Sequence, residues 1–541
     1  MADDFNGGPS EPVGGMPRAL SDLTADELMG ELMVLPPSPI RQPEFAQRYP
    51  VSMEEFEGLK LAAREMTEGA LAPGEAEPQV DEESTTVEGN PPEDGPGEAA
   101  GEGGLAPTRF ANFEAIPQTA FRPPDCTLAV GPNDVMAAVN VDLVGYNKAG
   151  GQTFRWANFT TLFSPVLPQG AQMFDPKLAY DHYADRWIVC IAARRANPAG
   201  SWIMMAVSQT ANPAGAYWIW ATDATIDGST RTTNWSDYPM LGFDTQGIYV
   251  STNQFGFSAG FSYAKVRIFN KAELYAGGAG AGHNIRWWDF WGLKNPDNSS
   301  AFTIQPAAHF QGLGGNPSAY LVNALFPSGS SLTVWTLANP LGMWTGGAPS
   351  LSRVAVPCRA YDLAPGAVQK DGGAVRIATN DNRVLNAVFQ SAGGTQRLWT
   401  SHTSKFSWSG DTEARSVVQW YEIDIPSKAV TQSGAFGASG RHYFFPVVQT
   451  DVNRNAYVTF GRSSADEYGQ LRHTGRLATD PAGQLQGSAL IAAGQASYNG
   501  GRWGDYFGIA RDPSDRRTVW SYGEYAGAGN TWRTRIASAR F

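Results

Sequence analysis

What most restricts the fold of this chain is a strand–turn–strand phrase that returns along most of its length. It can be followed through PPDCTLAVGPNDVMAAVN (123–140), FDPKLAYDHYADRWIVCIA (174–192), SDYPMLGFDTQGIYVSTNQF (236–255) and QPAAHFQGLGGNPSAYLVNAL (305–325). It continues in the divergent pair APGAVQ and DNRVLNAVF (364–389), then in FFPVVQTDVNRNAYVTFG (444–461) and GDYFGIARDPSDRRTVWSYGEY (504–525). Each copy has an apolar strand, a turn carrying Asp, Asn or Gly, and a second strand of small or β-branched residues. With Val130, Tyr180, Phe243, Phe310, Val384, Thr450 and Ile509 as equivalent points, the spacings are 50, 63, 67, 74, 66 and 59 residues. A period near 60 holds four strands, which is what a β-propeller blade requires. The expectation is an all-β, seven-bladed β-propeller over 106–541. Its last strand, TWRTRIASARF, should pair with one from 108–121 to close the ring.

Composition agrees with many short strands joined by tight turns. The 541 residues include 60 Gly, 36 Pro, 17 Trp, 19 Tyr and 27 Phe, with only 17% charged residues, and aromatic, Gly-rich, charge-poor chains favour sheets over helices. Cys126, Cys190 and Cys358 are too few for a disulfide framework. Cys190, inside the apolar run RWIVCIAA, reads as a small core residue, and sequence leaves open whether Cys126 and Cys358 pair.

The first 105 residues differ from the rest. They carry 23 Asp+Glu against 5 Lys+Arg, leaving 52 − 23 = 29 acidic and 40 − 5 = 35 basic residues for 106–541. That sparse surplus, with no basic cluster, argues against a nucleic-acid partner. The acidic segment 1–105 reads as largely disordered, with helical islands at 21–34 and 52–68. In the second, Ser52 and Glu55 form a capping box, and Phe56, Leu59, Leu61, Ala62 and Met66 make an apolar stripe. Such a stripe suits docking, so 21–68 is a candidate attachment device for a partner or for the chain's own body. No apolar run is long enough to span a membrane, and no signal peptide is visible at the N-terminus.

The phrases PPDCTLAVGPNDVMAAVN, FDPK…YD…DRWIV and RWGDYFGIARDPSDRRTVWSYGEY…WRTRI resemble a group of bacterial β-propeller proteins in the sialidase-like superfamily. The resemblance spans about 109–541 and implies the propeller fold together with an extracellular or cell-surface setting. Most of that group has no assigned activity, so it implies no particular reaction.

Four units place an Asp where an inner strand begins: Asp125, Asp175, Asp237 and Asp505, two of them followed by Tyr238 and Tyr506. Carboxylates converging on one axis repel unless hydrated, protonated or neutralised. Together with backbone carbonyls they would suit Ca²⁺; the competing reading is that each Asp caps its own turn. The series Asp451, Asn453, Asn455 has calcium-loop spacing but lacks the Gly and distal Glu, which favours turn chemistry. Six scattered His give no zinc motif. For a sialidase-like hydrolase the candidates are Asp505 and Glu524 as acids, with Arg122, Arg186, Arg359, Arg441 and Arg502 for a substrate carboxylate. No S-x-D-x-G-x-T-W box is present. Trp287, Trp288 and Trp291, with Tyr238 and Tyr506, are the aromatic candidates for ligand stacking.

The sequence therefore favours a non-catalytic binding or assembly module that presents loops to a protein or glycan, with 1–105 as tether or docking arm and no required cofactor. A glycan-cleaving hydrolase at one channel mouth and a structural subunit of a larger particle are the competing readings.

Overall fold

The β-branched and aromatic runs form antiparallel sheets, as their period-2 patterning dictates. The computed structural model of the protein describes residues 6–18, 48–65, 79–80, 106–156, 158–310 and 318–541. The first strand of each hairpin unit lines a central channel, and later strands step outward in a propeller arrangement. Fully buried tryptophans, among them Trp187, Trp220, Trp335 and Trp532, pack in the sheet cores. Cys126, Cys190 and Cys358 are all free thiols.

The ring closes as its end sequences require: Thr531–Arg540 pairs antiparallel with Thr108–Pro117. The blade count, however, corrects the expectation of seven. Five discrete blades of four or five strands are present among the described residues. The stretches expected as two further blades, Asn234–Trp291 and Asn386–Gly437, belong instead to one eleven-stranded sheet. Their joint is Ala308–Phe310, which pairs in parallel with Asn234–Phe243 on one side and Asn386–Ala392 on the other. After Gln305–Pro306 the chain leaves its antiparallel ladder and inserts between its neighbours. Small residues permit this approach, since a Cβ on Gly242 would lie 2.7 Å from the Ala307 carbonyl oxygen. A pattern of separate hairpins cannot foretell such a parallel joint.

The start of the chain is also more ordered than a free tether where it is described. Asn6–Pro9 pairs with Trp287–Trp291, and Gly15–Arg18 extends another blade by pairing with Tyr217–Asp223. Gln79–Val80 adds a parallel edge beside Ala429–Gly437. The expected helix at 52–68 is Met53–Ala62, with the Ser52 side chain accepting from the Glu55 amide at 3.1 Å. Of its expected stripe Phe56 is buried and Leu59 is packed, whereas Leu61 is exposed. The island at 21–34 and Met66 lie outside the described residues. No described helix is long and apolar enough to cross a membrane.

The hairpin turns confirm the short-range chemistry of their aspartates. Asp244 Oδ1 accepts from the Gln246 and Gly247 amides, and Asp451 Oδ1 accepts from those of Asn453 and Asn455. Asp181 and Asp512 serve the corresponding turns of their own units. Each carboxylate thus satisfies turn N–H groups that the sheet ladder leaves unpaired.

Candidate functional site at the channel

The two ends of the channel differ because the inner strands begin at one end and turn at the other. The starting end carries repeated bulges. At Asp175-Pro176, Tyr238-Pro239 and Phe445-Pro446 the pairing register shifts, and the residue before each Pro has φ of 54–55°. Proline lacks a donor for the ladder, so an inner strand accepts it where the ladder is already broken. These bulges turn the preceding side chains toward the axis.

Asp125, Asp175 and Asp505 meet there, with carboxylate oxygens within 4.8 Å of one another, and all three are buried. The Asp505 amide donates to Asp125 Oδ1 at 2.8 Å, and Asn140 Nδ2 donates to Asp125 Oδ2. Asn140 Oδ1 accepts from the Asp175 amide at 2.9 Å, linking two units. Asp505 accepts from Arg502 at 2.8 Å through Oδ2 and from Asn380 at 2.9 Å through Oδ1. Asp237 lies outside the group of three but close enough for its charge to act on Asp175.

Burial, reinforced by Asp505, raises Asp125 to about 8. Burial likewise raises Asp237 to about 7 and lifts Asp175 well above the usual carboxylate range. Lys177 is pushed down to about 7 by burial, although Asp175 and Asp125 pull the other way. The cluster therefore relieves its repulsion with protons, Arg502 and amide donors. Three carboxylates are the right donor type for a hard cation, but four oxygens of Asp125 and Asp505 already accept hydrogen bonds.

Toward the middle of the channel, Tyr238, Met240 and Tyr506 form a small buried floor. Tyr238 Oη donates to the Asp505 carbonyl at 3.0 Å, and Tyr506 Oη donates to that of Pro176 at 2.9 Å. The rings meet edge-on at 5.7 Å, and Lys177 Nζ lies 2.8 Å from the centroid of Tyr506. Both tyrosines are thus structural in this state, with their hydroxyls committed to backbone.

Glu524 is fully buried, and both of its carboxylate oxygens lack a hydrogen-bond partner. Burial, then Asp125 and Asp505, hold its acid group well above the ordinary range, which favours the protonated form. A Cβ on Gly504 would lie 2.3 Å from Glu524 Oε1, so this glycine makes the room.

The arginines do not converge. Of the five expected from sequence, Arg502 reaches the cluster, whereas Arg122 packs on Tyr498, Arg186 donates to nearby carbonyls, Arg359 lies over Phe406 and Arg441 faces Glu467. Trp287 is buried, with Nε1 donating to Asp289, while Trp288 and Trp291 are half-buried under Asn6–Pro9. Sequence reasoning passed over Asn140, Lys177, Asn380, Asp381 and Arg383. Lys177 follows Asp175-Pro176 directly, so a bulge reading of FDPK would have placed it inside.

Residues 48–65 close this end. The Tyr49 ring stacks on Phe56 at 3.4 Å, and both pack on Leu363. Lys60 Nζ donates to Thr379 Oγ1 at 2.8 Å, to the Asn380 carbonyl at 2.7 Å and to the Ala364 carbonyl. Arg383 makes a two-pronged pair with Asp381, both contacts at 2.7 Å, and donates to the Arg48 carbonyl. The opposite end is open. A cavity of about 530 Å³ runs from Lys177 and Met240 to His182, Phe310, Arg511 and Arg516 beside the hairpin turns.

No protein-family model and no curated protein sequence matches the chain. Among solved structures it is similar to a Trypanosoma rangeli sialidase in complex with sialic acid, at 9% identity and a TM-score of 0.35. That match covers 76% of this chain and 59% of the sialidase, so the chain spans less than two thirds of its length. It is also similar to a Dyadobacter fermentans protein of unknown function, at 9% identity and a TM-score of 0.32, covering 70% and 97% of the two chains. The WD40 domain of SCAP from fission yeast matches at 11% identity and a TM-score of 0.31, covering 77% and 82%.

Proposed function

We propose that this chain is a non-catalytic propeller module that binds a protein or glycan through the loops around its open channel mouth. Its N-terminal segment acts in cis, closing the other mouth. The observation that carries this reading is the placement of the acids. Asp505 and Glu524 are 3% and 0% exposed, and the cluster sits behind Tyr49 and Phe56 rather than in the open cavity. A glycosidase needs a protonated acid and a nucleophile flanking a bond that can enter between them. A substrate carboxylate would also need several arginines free to meet it, and beside these acids Arg502 is taken by Asp505 and Arg383 by Asp381.

The test joins turnover with capture. The full chain should leave aryl sialosides and other aryl glycosides intact, and Glu524→Gln should fold and capture partners as the parent does. Captured proteins or glycans should be lost on substituting exposed residues of the hairpin turns, such as Asp515 and Arg517. Glycoside turnover abolished by Glu524→Gln would overturn the reading in favour of a hydrolase.

A further inference from the structure

The open cavity is lined by two arginines that make no ion pair with a described residue. Arg511 lies at the end of its inner strand, Gly508–Arg511, with its guanidinium 4.0 Å from the Phe310 ring. Arg516 stands in the following turn, and both side chains line the cavity. Among the described residues neither guanidinium has an ion-pair or hydrogen-bond partner. Many other described arginines are ion-paired, as Arg267 is with Asp289 and Arg383 with Asp381. The charged and titratable neighbours do not change this balance. His182, stacked on Phe310 at 4.8 Å, is held neutral by burial and by Arg511, its acidity shifted down to about 3. Asp185 is engaged by the Tyr180 hydroxyl at 2.9 Å, and Asp451 is occupied by its own turn. Tyr183 donates its hydroxyl to the His309 carbonyl.

Below these arginines the wall is mixed: Ala129, Met240 and Ile509 alternate with Gln305, Asn386 and Gln449, and Lys177 lies toward the floor. Two cations at the mouth of a partly apolar cavity of about 530 Å³ match a ligand with an anionic head and a hydrocarbon tail. Ligand sites of this size are typically apolar with a few placed polar groups, and guanidinium is the group that pairs carboxylate or phosphate in two-pronged fashion.

We propose that the open channel binds a single-chain anionic amphiphile, its carboxylate or phosphate head on Arg511 and Arg516 and its tail in the shaft above Tyr238 and Tyr506. This goes beyond partner binding by the loops, because the ligand is a small molecule held inside the ring.

The experiment is calorimetric titration of the full chain with decanoate and with decyl phosphate, both below their aggregation range. Saturable binding to one head group or both is expected, and the preferred one identifies the head. Arg511→Gln and Arg516→Gln should each weaken it roughly tenfold, while binding of uncharged decanol stays unchanged. Ala308→Leu and Ile509→Trp, two alternative ways to narrow the shaft, should abolish binding of all three probes at unchanged melting temperature. Absence of saturable binding by both anions would overturn the proposal, as would binding indifferent to both glutamine variants. If partner capture persists while both anions fail, this inference alone falls; if capture fails while decanoate binds, the loop reading falls.

Discussion

Replacing Phe56 by alanine is expected to undock the N-terminal helix from the closed mouth while leaving the sheets intact. Phe56 is 4% exposed, its ring stacks on Tyr49 at 3.4 Å and 10°, and both pack against Leu363. Truncation gives up about 2 kcal/mol of apolar burial and about 1 kcal/mol of ring contact. A loss of about 3 kcal/mol moves the docked-to-undocked equilibrium by about two orders of magnitude. Native-state hydrogen exchange reads this directly. The amides at positions 56 and 63, bonded to the Ser52 and Leu59 carbonyls, should exchange about 100-fold faster in the variant. Amides of Arg186–Arg195, in the middle of a blade, should be unaffected. Unchanged helix exchange would refute the view that the Tyr49–Phe56 contact holds the segment. Equal acceleration in the blade would refute the view that the helix docks as a separate unit.

Asp125 and Asp237, raised to about 8 and about 7, retain protons that the unfolded chain releases above an ordinary aspartate pKa. Their contribution is present at pH 4 and is lost as pH rises through 7 to 8, so melting temperature should fall across that window and fall less in Asp125→Asn; an unchanged slope would count against a shared-proton cluster. Lys60 and Lys177, both lowered to about 7, act in the opposite sense, adding stability between pH 7 and about 10; Lys60→Met should reduce that rise in a thermal scan. Arg267→Met leaves Asp289 buried without its ion-pair partner and should cost about 3–5 kcal/mol in urea unfolding, with much of it regained in the Arg267→Met/Asp289→Leu double variant. Because Arg502 and amide donors already satisfy Asp125 and Asp505, EDTA should leave the melting temperature unchanged; a drop reversed by Ca²⁺ would instead establish an ion at the carboxylates.

Much of the candidate site could be named in advance, but its chemistry could not. The expectation that Asp125, Asp175, Asp237 and Asp505 converge rests on each beginning an inner strand, since a repeating geometry brings equivalent positions to one axis; three of them meet there and Asp237 stands apart. Asn140 and Asn380, which bind these carboxylates, sit at no repeated position, so no periodic signal marks them. Trp287 stood out as part of an aromatic platform, yet it is buried in the sheet core beside Asp289 while Asn6–Pro9 lies along its strand. The strand that pairs there comes from a segment whose composition reads as tether.

By itself the sequence determined the all-β class, the strand–turn–strand units, the closure of the ring by its terminal strands and the capped helix after Ser52. These rest on side-chain alternation, turn chemistry and capping, which act within a few residues. Tertiary structure alone decided that Ala308–Phe310 would join two expected blades into one sheet, that 48–65 would shut the acidic mouth, and that Arg511 and Arg516 would stand at the open one without an ion pair among the described residues. Such outcomes depend on contacts between residues far apart in the chain, as when the Asp505 amide meets Asp125 across 380 positions. Burial then changes what those groups are: Asp125 and Asp175 hold their protons to higher pH than they would in water, and Lys177 gives up its own near neutral pH.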